Sequence, residues 1–422
     1  MGVGLADVPV LPLDEAFALT AEFKADGCAQ KVSLGAGVYR DEQGDPWVLP
    51  SVKKVRQQIS LHQTPNLDHE YLPIQGSEPF LKLARDLILG ESLSPKGNLT
   101  SIQTISGTGA NHVGAQFLAR HLHPKHVFIS DPTWSNHHLI WTIAAPNVTR
   151  KTYPYYNAAD RSLDFEGWVA TLEREAVEND VVVLHACAHN PTGLDPTHAQ
   201  WKFLAELFRR KKLFAFFDSA YQGFATGDLD LDAWAVRHFQ EVLFGLEECP
   251  DHEEGPSGLC IAQSFAKNFG LYGERVGAFH LSLPPSTPTS GAYSQLLQLT
   301  RAEISNPPLF GARIVTTVLS NLELRSQWEQ DLLEMASRVR NVRGLLRKEI
   351  EHRLGSGSWS HLESQTGMFS YTGLSEAQVL RLKNMHHVYL MRNGRASLSG
   401  VNESNVKYIA EAVSEVVSNE PE

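Results

Sequence analysis

Between residues 101 and 281, short apolar runs alternate with stretches whose apolar residues recur at helical spacing. The strand candidates are residues 101–105, 126–130, 181–186, 213–217, 259–264 and 276–281. Several are apolar at consecutive rather than alternate positions, the pattern of a strand covered on both faces. Residues 111–120, 165–177 and 197–210 carry the helical spacing. This alternation predicts an α/β sheet, mostly parallel, with ligands taken at the strand ends.

After Asn306-Pro307-Pro308 the texture changes. Residues 311–351 predict a long helix-rich stretch with heptad-like apolar spacing. Two small strands, near 367–371 and 387–391, and a terminal helix over 405–417 complete a smaller α+β domain. The first 50 residues carry few strand signals and are expected to pack with it. The expected division is an N-terminal arm and part of the small domain over 1–49, a large domain over 50–325, and the small domain over 326–422. The acidic, glycine- and proline-rich segment 245–258 predicts a solvated loop rather than a lid.

The 422 residues are 42 % apolar and 20 % charged, an ordinary globular balance. The formal charge of −11 argues against nucleic acid as a partner. It leaves anionic small molecules open, since local arginines override a diffuse field. The four cysteines, Cys28, Cys187, Cys249 and Cys260, form no CxxC pair, which suits a reduced, cytoplasmic protein. No apolar run reaches the length of a membrane span, so no membrane partner is expected. The first 25 residues include Asp7, Asp14, Glu15 and Glu22, which suits neither a transit peptide nor a secretory signal.

The chemistry starts at Ser264-Phe265-Ala266-Lys267, with Arg275 eight residues after the lysine. A hydroxyl, an amine and a guanidinium at close spacing can hold a phosphate and form an imine, which points to pyridoxal phosphate. A surface lysine in a basic loop is the competing reading. Ser106-Gly107-Thr108-Gly109 lies between a strand and a helix, where backbone N–H groups and two hydroxyls can meet an anion. A plain tight turn fits as well.

Phe217-Asp218 closes an apolar strand with a carboxylate. Such a group needs a cation, and a protonated pyridine nitrogen is one; a helix N-cap is the alternative. Tyr221, three residues on, can reach a phenolic oxygen. His185, Cys187 and His189 share a face of an extended strand, so a zinc site is one reading. Asn190-Pro191-Thr192-Gly193 marks a sharp turn, which favours Asn190 as a hydrogen-bond donor at a strand end. Trp134, in Asp131-Pro132-Thr133-Trp134, is either a core residue or a platform for a flat ring. Arg301 and Arg395 can each grip a carboxylate, and two such grips suit a dicarboxylic amino acid.

Taken in order, these segments resemble the aspartate aminotransferases, within the fold-type I pyridoxal-phosphate transaminases. The resemblance runs from about Leu11 to Val417 and includes Ser33-Leu34-Gly35-Ala36-Gly37-Val38-Tyr39-Arg40 and His69-Glu70-Tyr71-Leu72-Pro73-Ile74. It implies a large domain with a mostly parallel seven-stranded sheet between helices, plus a smaller α+β domain. It implies Lys267 as the imine-forming catalytic base. Asp218, with His137 behind it, would pair with the ring nitrogen, and Asn190 and Tyr221 would bond the phenolic oxygen. Ser106, Gly107, Thr108, Ser264 and Arg275 would bind the phosphate, and Trp134 would stack on the ring. Arg395, with Gly37 near, would hold the substrate's α-carboxylate. Tyr71 and Arg301 would act from the other subunit of a homodimer with shared sites. The implied reaction is L-aspartate plus 2-oxoglutarate giving oxaloacetate plus L-glutamate.

Several residues depart from the family's pattern: Ala36, Asn111-His112, Gly273, Glu303-Ile304, Arg392 and Ala396-Ser397. Glu303 bears most on substrate choice, because an inward carboxylate would neutralise Arg301. These departures motivate an alternative: a pyridoxal-phosphate enzyme acting on an aspartate-like or aromatic amino acid, or running another reaction on the same scaffold.

Overall fold

The computed structural model describes residue 5 and residues 8–60, 70–90, 98–245, 257–355 and 357–418. Most of the acidic segment 245–258, Cys249 and His69 lie outside these residues. The central sheet has seven strands: β1 (Asn98–Ile105), β2 (His126–Asp131), β3 (Thr149–Pro154), β4 (Val181–His185), β5 (Phe214–Ser219), β6 (Leu259–Ser264) and β7 (Val276–Leu283). Their spatial order is β1-β7-β6-β5-β4-β2-β3. Only β7 runs antiparallel to its neighbours, β1 and β6. The mostly parallel α/β sheet expected from the apolar runs is therefore present.

Alternate side chains of each strand feed opposite cores. Phe217, Leu184 and Ile261 pack against the helices Phe165–Glu175, His198–Lys211 and Leu229–Phe244. Phe216, Val183 and Phe279 face the other way, toward helix α1 (Ser106–His121) and the helix Asn136–Ala144. Each fully buried phenylalanine contributes roughly 2–3 kcal/mol of transfer free energy. Burial on both faces is why these strands read as unbroken apolar runs.

The pattern missed β3. Its sequence, Thr-Arg-Lys-Thr-Tyr-Pro, is mostly polar because it closes the sheet edge, paired only with β2. The stretch 311–351 is two helices, α3 (Phe310–Ser320) and α4 (Leu322–Leu354), rather than one. Asn321 divides them: its backbone is extended, and its side chain accepts from Leu324 N as the cap of α4.

The two small C-terminal strands are Phe369–Tyr371 and Val388–Tyr389. The first pairs with Arg395–Ser397, a strand the apolar pattern did not reveal. The second pairs in parallel with Val32–Ser33, so the N-terminal region packs onto the C-terminal one. The terminal helix is Val406–Ser418. Among the described residues no helix is long and apolar enough to cross a membrane.

Candidate active site

A cavity of about 450 Å³ opens beside the ends of β4, β5 and β6. Twelve of the residues singled out in the sequence line it. The loop after β6 contributes Lys267, β5 ends in Asp218, and Asn190 follows β4. Ser106, Gly107 and Thr108 open α1, Ser264 closes β6, and Arg275 precedes β7. Tyr221, Trp134, Gly37 and Arg395 complete the set.

One end is built for an anion. α1 starts at Ser106 with no side-chain cap and no acidic residue in its first turn, so its N–H groups stay available. The hydroxyls of Ser106 and Ser264 lie 3.3 Å apart. Gly107 approaches so closely that a Cβ there would sit 2.9 Å from Ser264 Cβ. Ser106 N also bonds Arg275 O at 3.2 Å, which fixes the guanidinium's backbone to the helix start. Burial lowers the Arg275 pKa, the cost of a cation that meets no carboxylate among the described residues.

The opposite end holds a carboxylate. Asp218 and His137 are buried, and His137 Nε2 donates to Asp218 Oδ2 at 3.0 Å. Thr133 Oγ1 lies 2.9 Å from His137 Nδ1 and fixes the ring from behind. Burial works against the charge on Asp218. The hydrogen bond and charge of His137, with help from His185 and Lys267, nevertheless hold its carboxyl below the usual range.

Between these ends lies the amine. Lys267 Nζ stands 5.1 Å from the centre of the Tyr221 ring. Enclosure lowers its pKa; Asp218 opposes that shift, and Arg275 and Arg395 add to it. Burial raises the Tyr221 hydroxyl well above its ordinary range, so it remains a donor. Trp134 is half-buried on the cavity wall and meets the His137 ring edge-on at 5.2 Å.

Arg395 is buried and lightly committed. Its Nη2 donates to Gly35 O at 2.8 Å, and its Nη1 reaches Asn190 Oδ1 only at 3.4 Å. Its Nε has no partner. The guanidinium lies 4.3 Å over the Phe369 ring. Donor capacity is thus left for an incoming carboxylate.

Two of the expected residues are not brought into this cavity. Tyr71 is 82 % exposed, and Arg301 is exposed with its guanidinium bonded to Ser305 Oγ. Arg301 lies on the last turn of helix α2 (Ser290–Glu303). Two positions on, Glu303 faces away from it, as i and i+2 do on a helix. Glu303 Oε1 instead meets His112 Nδ1 at 3.3 Å, and this bond raises the His112 pKa against the effect of burial. Both line a second cavity of about 360 Å³ that shares Thr108, Asn136 and Arg275 with the first. Of the other departures, Asn111 lies at the anion end, where its Nδ2 donates to Gly107 O at 2.9 Å.

The zinc reading of His185, Cys187 and His189 is not assembled. The His189 nitrogens engage Ser130 and Thr192, and among the described residues no three such side chains gather as metal ligands. Phe369 and Phe17 line the main cavity although the sequence did not single them out, and His185, weighed only as a metal ligand, lines it too. For Phe369 no chemical signal existed, only its place on a short strand.

The donor set fits pyridoxal phosphate: an anion cup at one end, an ionised buried carboxylate at the other, and an amine between them.

The family model "Aminotransferase class I and II" matches residues 29–413. An L-tyrosine:2-oxoglutarate aminotransferase, ucdG of Aspergillus ustus, is 45 % identical over 95 % of this chain and 76 % of its own length. The structure of the cytoplasmic aspartate aminotransferase of Saccharomyces cerevisiae superposes with a TM-score of 0.92 at 42 % identity, covering 99 % of both chains. An aromatic-amino-acid aminotransferase of Burkholderia pseudomallei, covalently bound to pyridoxal phosphate, superposes with a TM-score of 0.90 at 35 % identity, covering 98 % of this chain and all of that one.

Proposed function

Because the chain belongs to the class I and II aminotransferases, we propose that its cavity is the active site of a pyridoxal-phosphate-dependent transaminase exchanging the amino group of L-aspartate with 2-oxoglutarate. The observation that carries this is the convergence of Lys267, Asp218, the bare start of α1 and Arg395 on one cavity. Bound pyridoxal phosphate supplies an electron-withdrawing ring and a carbonyl carbon that takes and returns an amino group.

The chain's own residues do the rest. The first turn of α1, Ser264 and Arg275 take the phosphate. Asp218, kept ionised by His137, holds a proton on the ring nitrogen. Tyr221 and Asn190 donate to the phenolic oxygen. Lys267, its pKa lowered by enclosure, moves the proton at the substrate's α-carbon. Arg395 takes the α-carboxylate with the donors that the protein leaves open. Trp134 covers the ring and keeps water off it.

Arg301 and Tyr71 lie outside the chain's own cavity, and in this proposal a second copy supplies both. The assembly is then a two-fold homodimer in which each subunit completes its partner's site. Arg301 would grip the distal carboxylate of aspartate, oxaloacetate, glutamate or 2-oxoglutarate. The engagement of Glu303 by His112 supports this, because it leaves Arg301 with its charge uncancelled. A cytoplasmic location is part of the same proposal and rests on the likeness to the cytoplasmic yeast enzyme.

A second reading gives the amino-donor role to an aromatic amino acid. It is favoured by the tyrosine-specific name of the Aspergillus relative. It is also favoured by the apolar side chains Leu139, Ile143 and Ile304 around the adjoining cavity. Steady-state turnover of L-aspartate and L-tyrosine with 2-oxoglutarate as acceptor decides between them. A kcat/KM larger for L-aspartate supports the first reading, and a larger one for L-tyrosine overturns it.

A further inference from the structure

Arg343 lies on α4, away from the cavity, and is buried. Its guanidinium meets no carboxylate within ion-pair distance among the described residues. Instead it binds four carbonyls of one segment. Nη1 donates to Leu362 O at 2.9 Å, and Nη2 to Thr366 O at 3.3 Å, Gly367 O at 2.8 Å and Phe369 O at 2.6 Å. An arginine carrying a buried charge on carbonyl dipoles alone is costly, and it holds those carbonyls in one arrangement. Burial lowers its pKa to about 9, which leaves it charged at neutral pH.

The segment it holds touches the active site at two points. Thr366 N donates to Gly193 O at 2.6 Å, and Gly193 closes the turn that begins at Asn190. A Cβ at Gly193 would lie 2.8 Å from Thr366 O and 2.9 Å from Phe369 O, so the segment and the turn are in backbone contact. At the second point Phe369 carries the Arg395 guanidinium on its ring at 4.3 Å. Arg395 Nη1 also donates to Asn190 Oδ1 at 3.4 Å, which links the two residues on the cavity wall.

We propose that Arg343 is a positioning residue for the substrate α-carboxylate, acting through the 362–369 segment to set Phe369 and, on it, Arg395. The inference rests on the transaminase reading, but not on which amino acid is the donor, because every amino-acid and 2-oxo-acid substrate presents that carboxylate. The cofactor phosphate and ring nitrogen are gripped elsewhere, at α1 and Asp218, so cofactor retention does not depend on Arg343.

The test compares Arg343→Met, Arg343→Lys and Arg343→Ala with wild type and with Val342→Ala. The last removes core packing from the same helix and leaves the four carbonyl bonds of Arg343 in place. KM is measured for the amino donor and for 2-oxoglutarate, maleate binding by calorimetry, and bound cofactor by absorbance. The proposal expects Arg343→Met to raise both KM values and the maleate Kd together by about tenfold, as for a sub-ångström misplacement of a gripping residue. It expects a smaller change in kcat, unchanged bound cofactor and partial recovery in Arg343→Lys. It also expects millimolar guanidinium to restore maleate binding to Arg343→Ala, since a cavity of about 360 Å³ adjoins the side chain. Should the Met and Ala variants not fold, the Lys variant decides by the same joint rise in KM and Kd. Unchanged KM and Kd in a folded variant, an equal rise in Val342→Ala, or a rise that tracks cofactor loss would overturn the proposal. Wild-type protein that turns over neither L-aspartate nor L-tyrosine would count against the transaminase reading instead.

Discussion

His137 and Asp218 come from different elements, a loop-adjacent helix and β5, yet their side chains meet at 3.0 Å in a fully buried pair. This contact opposes burial, which raises the carboxyl's pKa, and with His185 and Lys267 holds it below the usual range. Asp218→Asn is expected to lower kcat by about 10²-fold or more, the scale of removing a preorganised charge from a site. His137→Asn is expected to lower it less, since the carboxylate itself remains. Stopped-flow and steady-state rates at saturating substrate measure both effects. Equal losses in the two variants would contradict this ordering.

Lys267 is enclosed, and its pKa is lowered accordingly. Lys267→Ala is expected to reduce turnover by at least about 10³-fold, the upper range for a general acid–base group. Borohydride reduction of the wild-type holoenzyme followed by peptide mapping should place the cofactor on this lysine. A label on any other lysine would contradict the assignment.

In the proposed dimer, Arg301 and Arg395 divide the substrate's two carboxylates. Arg301→Ala is expected to raise KM for L-aspartate and 2-oxoglutarate by roughly 10–10²-fold, the worth of a charge-assisted hydrogen bond. KM for L-tyrosine should hold. Arg395→Ala should raise KM for all three. Glu303→Gln, which weakens the bond to His112, should leave the KM for L-aspartate nearly unchanged because that carboxylate faces away from Arg301. A marked fall in KM on removing it would show that Glu303 does oppose Arg301.

Several buried histidines steepen the acid limb of stability, His280 and His361 among them. His280 is held between Ser101 Oγ and Gln263 Oε1 and lies at about 3, chiefly through burial. His361 lies at about 4, again chiefly through burial and then Arg161. Both are depressed from 6.5, so the unfolded chain takes up protons that the folded chain refuses. Their contribution is present above about pH 6.5 and is lost as pH falls toward 4 and then 3. In urea melts between pH 6 and pH 4, His280→Gln should flatten the slope by about one proton, about 1.4 kcal/mol per pH unit. An unchanged slope would contradict this.

Much of the cavity was legible because its chemistry sits on strand ends. An apolar run that stops at Asp218, or at Ser264 before Lys267, announces both the strand and the group it delivers. β3 was hidden because an edge strand needs no apolar run, and the break at Asn321 because a single capping residue interrupts otherwise continuous helical spacing. The direction of Glu303 could not be read, since it depends on a partner, His112, almost two hundred positions away. Phe369 and Arg343 were invisible for a related reason. A ring beneath a guanidinium and a guanidinium on four carbonyls are relations between distant segments, and neither leaves a local pattern.

The most direct test of the proposed activity is the absorbance of the purified holoenzyme mixed with L-aspartate in the absence of any 2-oxo acid. The account predicts that the visible cofactor band is replaced by one at shorter wavelength as the amino group is taken up, and that 2-oxoglutarate restores it. A cofactor band that does not respond to L-aspartate, while responding to L-tyrosine, would contradict the dicarboxylate reading and establish the aromatic one.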